Sequence, residues 1–227
     1  MSQVEEPQDQ LIKEQIAYFE ARAPEYDDSM EPDQSDSVYA EWQQLRNQVR
    51  SARLTGAVLD LAAGTGSWTE LFIDSAETVT LVDASAGALE IARTRFQGRD
   101  VEFVTTDLFK WNPDRLYDTV FSSFWLCHIP PMLVSNFVSQ IESACRSGGT
   151  NVLVDEHTFD DPGLAVAAAR NDDAWVSHRT VQDGRDYRLV KVGHNPADVL
   201  DLFMKRGWDA SLEHHGDHFY MIKATRF

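Results

Sequence analysis

The sequence predicts an α/β fold in which helices cover both faces of a doubly wound, mostly parallel sheet. Between residues 57 and 157, short apolar segments alternate with stretches of helical periodicity, which is typical of right-handed βαβ units. The apolar segments are continuous rather than alternating, as strands buried on both faces require. A chain of 227 residues, 43% hydrophobic and 25% charged, suits one domain of this class.

Two helices are predicted before the first strand. The first dozen residues are polar, and we expect them to fray. A helix is predicted over 11–23, because its apolar residues recur on one helical face, and Pro24 marks its end. A second helix is predicted over 32–51, with Ser35 or Ser37 as its cap and an apolar stripe of Val38, Trp42, Leu45 and Val49.

Five strands and two helices are predicted over the central part of the chain. The predicted strands are Ala57–Ala62, Thr78–Val82, Val101–Thr105, Asp118–Phe124 and Asn151–Val154. Ser85 is the expected N-cap of a helix over 86–95, and a further helix is predicted over 131–145. The pair Gly148-Gly149 is expected to form a turn into the fifth strand.

The alternation ends after Asp155. A polar, alanine-rich connector is expected over 158–174, followed by strands over 175–182 and 185–192 that flank Asp183-Gly184, a strong hairpin signal. A helix over 196–205 and an antiparallel pair at 207–208 and 218–227 close the chain. We therefore predict a single domain, 1–227, that comprises a helical cap (1–53), a core (55–157), an inserted connector and hairpin (158–194) and a closing helix and strands (195–227).

Composition and charge exclude several classes of protein. The formal charge is −17, and residues 1–41 carry 12 acidic residues against Lys13 and Arg22. This surface would repel a phosphate backbone, so we expect no nucleic-acid partner and interpret the acidic segment mainly as a solvated face. The chain has no apolar run of 18 residues and no signal-like start, so we expect no membrane partner and a cytoplasmic location. Only Cys127 and Cys145 occur, without a CxxC motif, which argues against a disulfide framework and a structural zinc site.

A glycine turn and three strand-end acids predict a nucleoside site. The turn Gly64-Thr65-Gly66 follows the first strand, where glycines let backbone N–H groups approach a ligand. Thr69 stands where a dinucleotide fingerprint needs a third small residue, so NAD is disfavoured. The acids that cluster around this turn at strand ends are Asp60, Asp83 and Asp107. A carboxylate at 83 could accept both ribose hydroxyl protons, and one at 107 could accept from an adenine amino group.

These motifs resemble those of class I S-adenosylmethionine-dependent methyltransferases. The resemblance rests on 58–66 (Val-Leu-Asp-Leu-Ala-Ala-Gly-Thr-Gly), Leu81-Val82-Asp83 and Thr106-Asp107-Leu108. It implies a Rossmann-like, seven-stranded sheet with a reversed last hairpin, and S-adenosylmethionine as cofactor, with S-adenosylhomocysteine as product. It also implies that Gly64 and Gly66 lie against the methionine end, Asp83 on the ribose, and Asp107 and Leu108 on the adenine. The expected cofactor contacts are completed by Asp60, Ala62, Trp68, Ala84 and Ser123.

The flanking segments are similar to small bacterial O-methyltransferases, in particular those that methylate a phosphonate oxygen. The similar segments are 18–27, 124–130 and 183–192. This narrower resemblance implies that Arg22 lies near the methionine carboxylate. It also implies that Tyr26, His128 and the hairpin arginines face the substrate. We add Tyr18 and Trp125 to the expected substrate contacts.

His128 is the candidate catalytic residue. It lies just past the fourth strand, so its imidazole could take a proton from a hydroxyl or hydrogen-bond an acidic oxygen. The structural alternative is a histidine that packs at the start of the helix at Pro130-Pro131.

The hairpin predicts an anion site. If Asp183-Gly184 is a two-residue turn, Arg179 lies directly opposite Arg188, and two facing arginines repel unless an anion lies between them. The alternatives are neutralisation by nearby carboxylates, or a one-residue change of register that separates the pair.

Two further clusters of acidic residues and histidines are weaker candidates for a site. Asp155, Glu156 and His157 could hold a metal, as could His214, His215 and His218, but we expect no metal site.

The leading hypothesis is an enzyme that methylates an oxygen of a small acidic metabolite, a phosphonate or carboxylate, and acts as a monomer or homodimer. The alternatives are an N- or C-methyltransferase of a small molecule, and a non-catalytic S-adenosylmethionine-binding protein.

Overall fold

The structure, a computed structural model, describes residues 5–34, 37–157, 174–182, 184–214 and 216–227. The α-helices in these residues are α1 (Glu5–Arg22), α2 (Tyr26–Met30), α3 (Ser37–Ser51), α4 (Ala86–Arg95), α5 (Val134–Ala144) and α6 (Pro196–Lys205). The strands are β1 (Ala57–Leu61), β2 (Thr78–Asp83), β3 (Val101–Thr105), β4 (Tyr117–Ser123), β5 (Cys145–Glu156), β6 (Val176–Thr180), β7 (Asp186–Val190), β8 (Trp208–His214) and β9 (Phe219–Arg226).

Seven strands form the main sheet in the order β3-β2-β1-β4-β5-β9-β8. The first five are parallel, and β9 and β8 are antiparallel, which confirms the predicted mostly parallel sheet and its reversed end. The strand order reverses between β1 and β4. In a parallel sheet, crossovers leave this point in opposite directions and open a cleft at the carboxyl ends of the strands.

The sheet separates two apolar cores because successive side chains of a strand point to opposite faces. On one face, Leu59 and Leu61 lie in a cluster with α5 and α6. On the other face, Val58 lies in a cluster with α3 and α4. Both faces of β1 are therefore buried, which accounts for its continuous apolar sequence.

Several predicted boundaries are wrong. The second helix begins at Ser37 rather than at residue 32, and the strand predicted at 207–208 spans Trp208–His214. α1 begins at Glu5 rather than Leu11, because Leu11 is buried against the hairpin formed by β6 and β7 and holds this part of the helix in place. β5 begins at Cys145 rather than Asn151, and Gly148 and Gly149 lie within the strand instead of forming a turn. The register of β4 against β5 shifts there, between Tyr117 and Thr119, so the strand accommodates the two glycines as an irregularity.

The predicted register of the hairpin is also wrong. Arg179 lies opposite Tyr187, and Arg188 lies opposite His178, so the two arginines are not a directly facing pair. The Val181 N–H donates to the Arg185 carbonyl, which leaves a three-residue loop, and Gly184 in that loop has φ +81°. This is the geometry of a turn followed by a left-handed residue, which shifts the pairing by one position. Asp183 and the connector over 158–173 lie outside the described residues.

No helix in the described parts of the chain combines the length and the apolar character that crossing a membrane requires.

Candidate active site

Two residues with left-handed backbone conformation mark the cleft at the switch point. Ala62 (φ +58°) follows β1, and Phe124 (φ +51°) follows β4. L-residues rarely adopt this conformation, and such strain is common where a site requires a particular backbone path. Both residues line the cleft, so the ends of the two central strands are bent to shape it.

Gly64 forms the open side of the turn after β1. It also has a left-handed conformation (φ +55°), and a Cβ placed on it would meet no atom within 4 Å. Gly66 differs, because a Cβ there would lie 2.5 Å from the Phe96 ring. Gly64 therefore leaves room for a ligand, whereas Gly66 leaves room for the core.

Asp83 organises the turn from the end of β2. One carboxylate oxygen accepts from the Gly64 N–H at 2.8 Å, and the other accepts from the Ser85 N–H at 2.8 Å. Burial raises the pKa of Asp83, while these hydrogen bonds lower it. The Ala84 N–H also acts on this carboxylate, which has about four acceptor positions, so at least one position remains for a hydroxyl proton of a ligand in the cleft.

Asp107 and Leu108 form the third side of the cleft, after β3. The Asp107 carboxylate accepts from the Phe109 N–H at 3.0 Å and pairs with the Lys110 ammonium at 3.1 Å. The Gln140 amide of α5 donates to the carbonyl of Leu108 at 2.9 Å, which anchors this loop to the body.

Seven of the predicted cofactor contacts come together in this cleft. They are Ala62, Gly64, Asp83, Ala84, Asp107, Leu108 and Ser123.

Four predicted cofactor contacts lie elsewhere. Asp60 is buried behind the turn and accepts from the Thr69 hydroxyl at 2.6 Å, and burial raises its pKa to about 7. Gly66 faces Phe96, and Trp68 is buried in an aromatic cluster with Trp42 and Phe124. Arg22 lines the neighbouring pocket instead of the cleft.

The N-terminal helices cover the cleft. The cap residues that line it are Gln15, Ile16, Phe19, Ala23 and Tyr26. The Glu20 carboxylate holds α1 against the start of α4, where it accepts from the Ser85 hydroxyl at 2.7 Å and the Gly87 N–H at 3.0 Å. A helix N-terminus favours a carboxylate, so this contact stabilises the cover. Burial raises the pKa of Tyr26, which keeps its hydroxyl protonated.

A second pocket adjoins the cleft, and we call it the side pocket. It has a volume of about 410 Å³ and shares four lining residues with the cleft, namely Phe19, Tyr26, Phe124 and His128. Two predicted substrate contacts, Tyr18 and Arg179, line the side pocket but not the cleft. Trp125 lies in the cleft instead, and Arg188 lines neither space. The Arg188 guanidinium forms a two-point ion pair with Glu14 of α1, at 2.9 and 2.8 Å.

His128 lies where the two spaces meet. Its Nδ1 is 2.7 Å from the Val190 carbonyl oxygen, which can only accept, so Nδ1 carries the proton. Burial, together with the charge of Lys191, holds the pKa of His128 well below its usual value. The ring is therefore neutral near pH 7, and its unprotonated nitrogen is Nε2.

Among the residues that the structure describes, more cationic than acidic groups line the side pocket. The cations are Arg22, Arg179 and Lys191, and the acids are Glu25 and Glu156. Burial lowers the pKa of Lys191, but the adjacent Cys127, Glu156 and Asp155 outweigh that effect and raise it above its usual value. The ammonium is therefore charged and forms an ion pair with Glu156.

Asp155 and Glu156, two candidate metal ligands from the sequence, have other partners in the structure. Asp155 is fully buried and accepts from the Cys127 N–H at 3.1 Å, and burial raises its pKa to about 6. Glu156 is paired with Lys191 instead of facing Asp155 as a second ligand. No group of three or more metal-ligating residues occurs in the described part of the chain, which includes neither His215 nor the side chain of His214.

Several residues of these two spaces were missed by sequence reasoning. Gln15 and Phe19 lie on the inner face of α1, and Lys191 and Glu156 meet across the side pocket. For Gln15, the only available signal was a polar residue between Ile12 and Ile16 on an otherwise apolar face. Lys191 and Glu156 are 35 positions apart, and their pairing depends on how the hairpin packs on the sheet.

Comparisons with known proteins decide the family. Residues 58–149 match the family described as "Methyltransferase domain". The structure superposes on a DhpI–SAH complex with a TM-score of 0.77 and 33% identity, covering 95% of this chain and 97% of that one. The chain belongs to the class I S-adenosylmethionine-dependent methyltransferases.

Two further relatives are consistent with this assignment. A DhpI–SAM–HEP complex matches with the same TM-score and identity, over 94% of this chain and 97% of that one. An uncharacterized methyltransferase of Staphylococcus carnosus is 26% identical over 139 residues, which span 60% of this chain and 65% of that protein. This alignment therefore covers just under two thirds of the curated relative.

The cofactor of this methyltransferase is S-adenosylmethionine, as the complexes of its structural relatives with SAM and SAH indicate. The cleft fits such a molecule, because Gly64 leaves the turn open and Asp83 stands at the end of the neighbouring strand with acceptor sites to spare. Which residues contact each part of the cofactor stays a prediction.

Proposed function

We propose that this methyltransferase transfers the methyl group to an oxygen of a small acidic metabolite, a phosphonate or a carboxylate. The observation that carries the proposal is the excess of cations over acids among the described residues that line the side pocket, directly beside the cofactor cleft. The chain as a whole is strongly acidic, with a net charge of −17. A local group of cations in that surface supports selection of an anionic substrate.

Arg22 is the cation best placed to meet an incoming anion. Its guanidinium donates to the Tyr18 hydroxyl at 3.0 Å and the Ser29 hydroxyl at 2.9 Å. Both partners are neutral, and no carboxylate pairs with Arg22 among the residues that the structure describes. Its charge is therefore not cancelled within the pocket, and guanidinium suits the oxygens of a phosphonate or carboxylate.

His128 favours an acceptor that retains one hydroxyl proton. When bound, S-adenosylmethionine supplies an electrophilic methyl group for an in-line displacement. The protein then has to align the acceptor and exclude water. A neutral imidazole with a free Nε2 can accept a hydrogen bond from an acceptor hydroxyl but would repel a fully ionised oxygen. A phosphonate monoanion offers both a negative charge for the arginines and a hydroxyl for His128, which supports it over a carboxylate.

The proposal is tested by an acceptor screen with labelled methyl donor, using alkyl phosphonates, carboxylates, phenols and amines. We expect transfer to the oxygen of an acidic acceptor, with phosphonates preferred. The matched variants are Arg179→Ala, which alters the side pocket, and Arg188→Ala, which removes an arginine outside it. Because a hydrogen-bonded charge contributes about 1.5–3 kcal/mol, we expect Arg179→Ala to raise KM for the acid by about 10- to 100-fold.

The control variant should behave differently. Arg188→Ala removes the ion pair with Glu14, and a partly exposed pair contributes about 0.5–1 kcal/mol to stability. We expect its KM for the acid to remain within about twofold of the unmodified protein. Methylation of amines but not acids, or equal loss of activity with neutral acceptors in the Arg179 variant, would contradict the proposal. Cofactor binding without transfer to any acceptor would favour the non-catalytic alternative.

A further inference from the structure

Gln15 is a polar residue on the apolar face of α1, and both ends of its side-chain amide form hydrogen bonds. Its side chain is 1% exposed. The amide nitrogen donates to the His128 carbonyl at 3.1 Å, and the amide oxygen accepts from the Val190 N–H at 2.9 Å. Both ends of the side chain therefore bind backbone groups of two segments that lie more than 110 positions away in the sequence.

These contacts complete a ring of hydrogen bonds around His128. The imidazole Nδ1 donates to the carbonyl of Val190, and the N–H of the same residue donates to Gln15. Gln15 in turn donates to the carbonyl of His128. Gln15 thus fixes the position of the Val190 backbone relative to the His128 backbone, and that position sets the distance over which the imidazole makes its hydrogen bond.

We propose that Gln15 is a positioning residue, which keeps the His128 imidazole in the Nδ1-protonated tautomer and so leaves Nε2 free for the acceptor. The role of Nε2 toward the acceptor rests on the proposed function, whereas the effect of Gln15 on the tautomer of His128 does not. Hydrogen-bond partners of an active histidine fix its tautomer and orientation in this way.

Gln15 is one of several attachments of α1 to the rest of the protein. Two neighbours on the same helix hold α1 independently: Glu14 pairs with Arg188, and Glu20 binds the start of α4. Loss of the Gln15 amide should therefore disturb His128 more than it disturbs the seating of α1.

The direct test is nitrogen NMR of histidine-labelled protein, without acceptor. Gln15→Met keeps the length of the side chain but removes its donor and acceptor, and Gln10→Met is the matched control on the exposed side of α1. The signals of His128 are assigned by their loss in His128→Asn. We expect protonated Nδ1 and unprotonated Nε2 in the unmodified protein and in the control, and averaged tautomers in Gln15→Met. Unchanged His128 signals in that variant would overturn the inference.

A second variant separates positioning from a merely structural role. Gln15→Glu can both donate and accept when its carboxyl is protonated, but it can only accept when ionised and then faces the His128 carbonyl. Burial raises the pKa of such a carboxyl, while the cations that act on His128, namely Lys191, Arg22 and Arg179, lower it. We expect the kcat of this variant to fall by about 10- to 100-fold as the pH rises and to recover as it falls.

The control for the pH experiment is Gln10→Glu, which makes the same change on the exposed side of the helix. The KM for S-adenosylmethionine and the pH profile of kcat should not change in Gln10→Glu. A pH profile of kcat for Gln15→Glu that parallels the unmodified protein would overturn the inference. If no acidic acceptor is methylated by the unmodified protein, the proposed function fails, while the NMR measurement still decides the role of Gln15.

Discussion

Asp83 shows how one carboxylate can serve both the fold and the ligand. It accepts from the N–H groups of Gly64 and Ser85, and so joins the turn after β1 to the start of α4. Gly64 and Ser85 both line the cleft. A ligand that binds this carboxylate therefore meets a wall whose shape the same carboxylate has already fixed.

Replacing Asp83 by Asn should weaken cofactor binding. The Asn amide has one acceptor oxygen and an NH₂ group that would oppose an N–H donor, so the variant loses part of the turn as well as the negative charge. A hydrogen bond to a charged group contributes about 1.5–3 kcal/mol, so we expect the Kd for S-adenosylhomocysteine to rise by about 10- to 100-fold in calorimetry. Asp74→Asn is the control, because Asp74 is largely exposed and pairs with Arg99 on the surface. Equal affinity in both variants would contradict the role of Asp83.

At the scale of elements, the ends of β1 and β4 carry strain that the rest of the sheet tolerates. Ala62 has a left-handed backbone at the end of β1, which costs an L-residue about 1–2 kcal/mol. Glycine would relieve that strain but lose about 0.4–1 kcal/mol through the greater freedom of the unfolded chain. We expect Ala62→Gly to stabilise the protein by about 0.5–1 kcal/mol in denaturant unfolding. Ala63→Gly, at the next position, should destabilise it by a similar amount, and a loss of stability in both would show that Ala62 is not strained.

The elements differ in how far the sequence predicts them. Strands and helices of the core follow from local apolar patterns, and Ser85 caps α4 as expected, accepting from the Ala88 N–H at 3.0 Å. The register of the hairpin does not follow from the local sequence, because an Asp-Gly pair fits a two-residue or a three-residue loop. A change from one loop length to the other shifts every cross-strand residue pair by one position. The contacts of Glu14 and Gln15 are also beyond local reasoning, since they depend on packing between residues more than 110 positions apart.

At the scale of the whole molecule, the acidic N-terminal segment is more than a solvated face. At least four of its carboxylates bind the rest of the protein: Glu14 binds Arg188, Glu20 binds the start of α4, Asp27 binds both Thr65 and Arg95, and Glu41 binds His218. Thr65 lies in the turn that follows β1. The charge of the segment therefore helps to hold the cap over the cleft, which the composition alone did not predict.

Cofactor binding should protect the cap from proteolysis. Because cap residues such as Phe19 and Tyr26 line the cleft, a ligand bound in the cleft would contact the cap and should hold it closed. At a concentration 100-fold above Kd, a ligand stabilises the bound form by about 2.7 kcal/mol, so trypsin cleavage at Arg22 and Arg46 should slow by up to about 100-fold. Limited digestion with and without S-adenosylhomocysteine measures this rate, and Asp83→Asn at the same ligand concentration should show less protection. Cleavage within residues 10–50 that is equally fast with and without ligand would mean that the cap and the cofactor do not share the cleft.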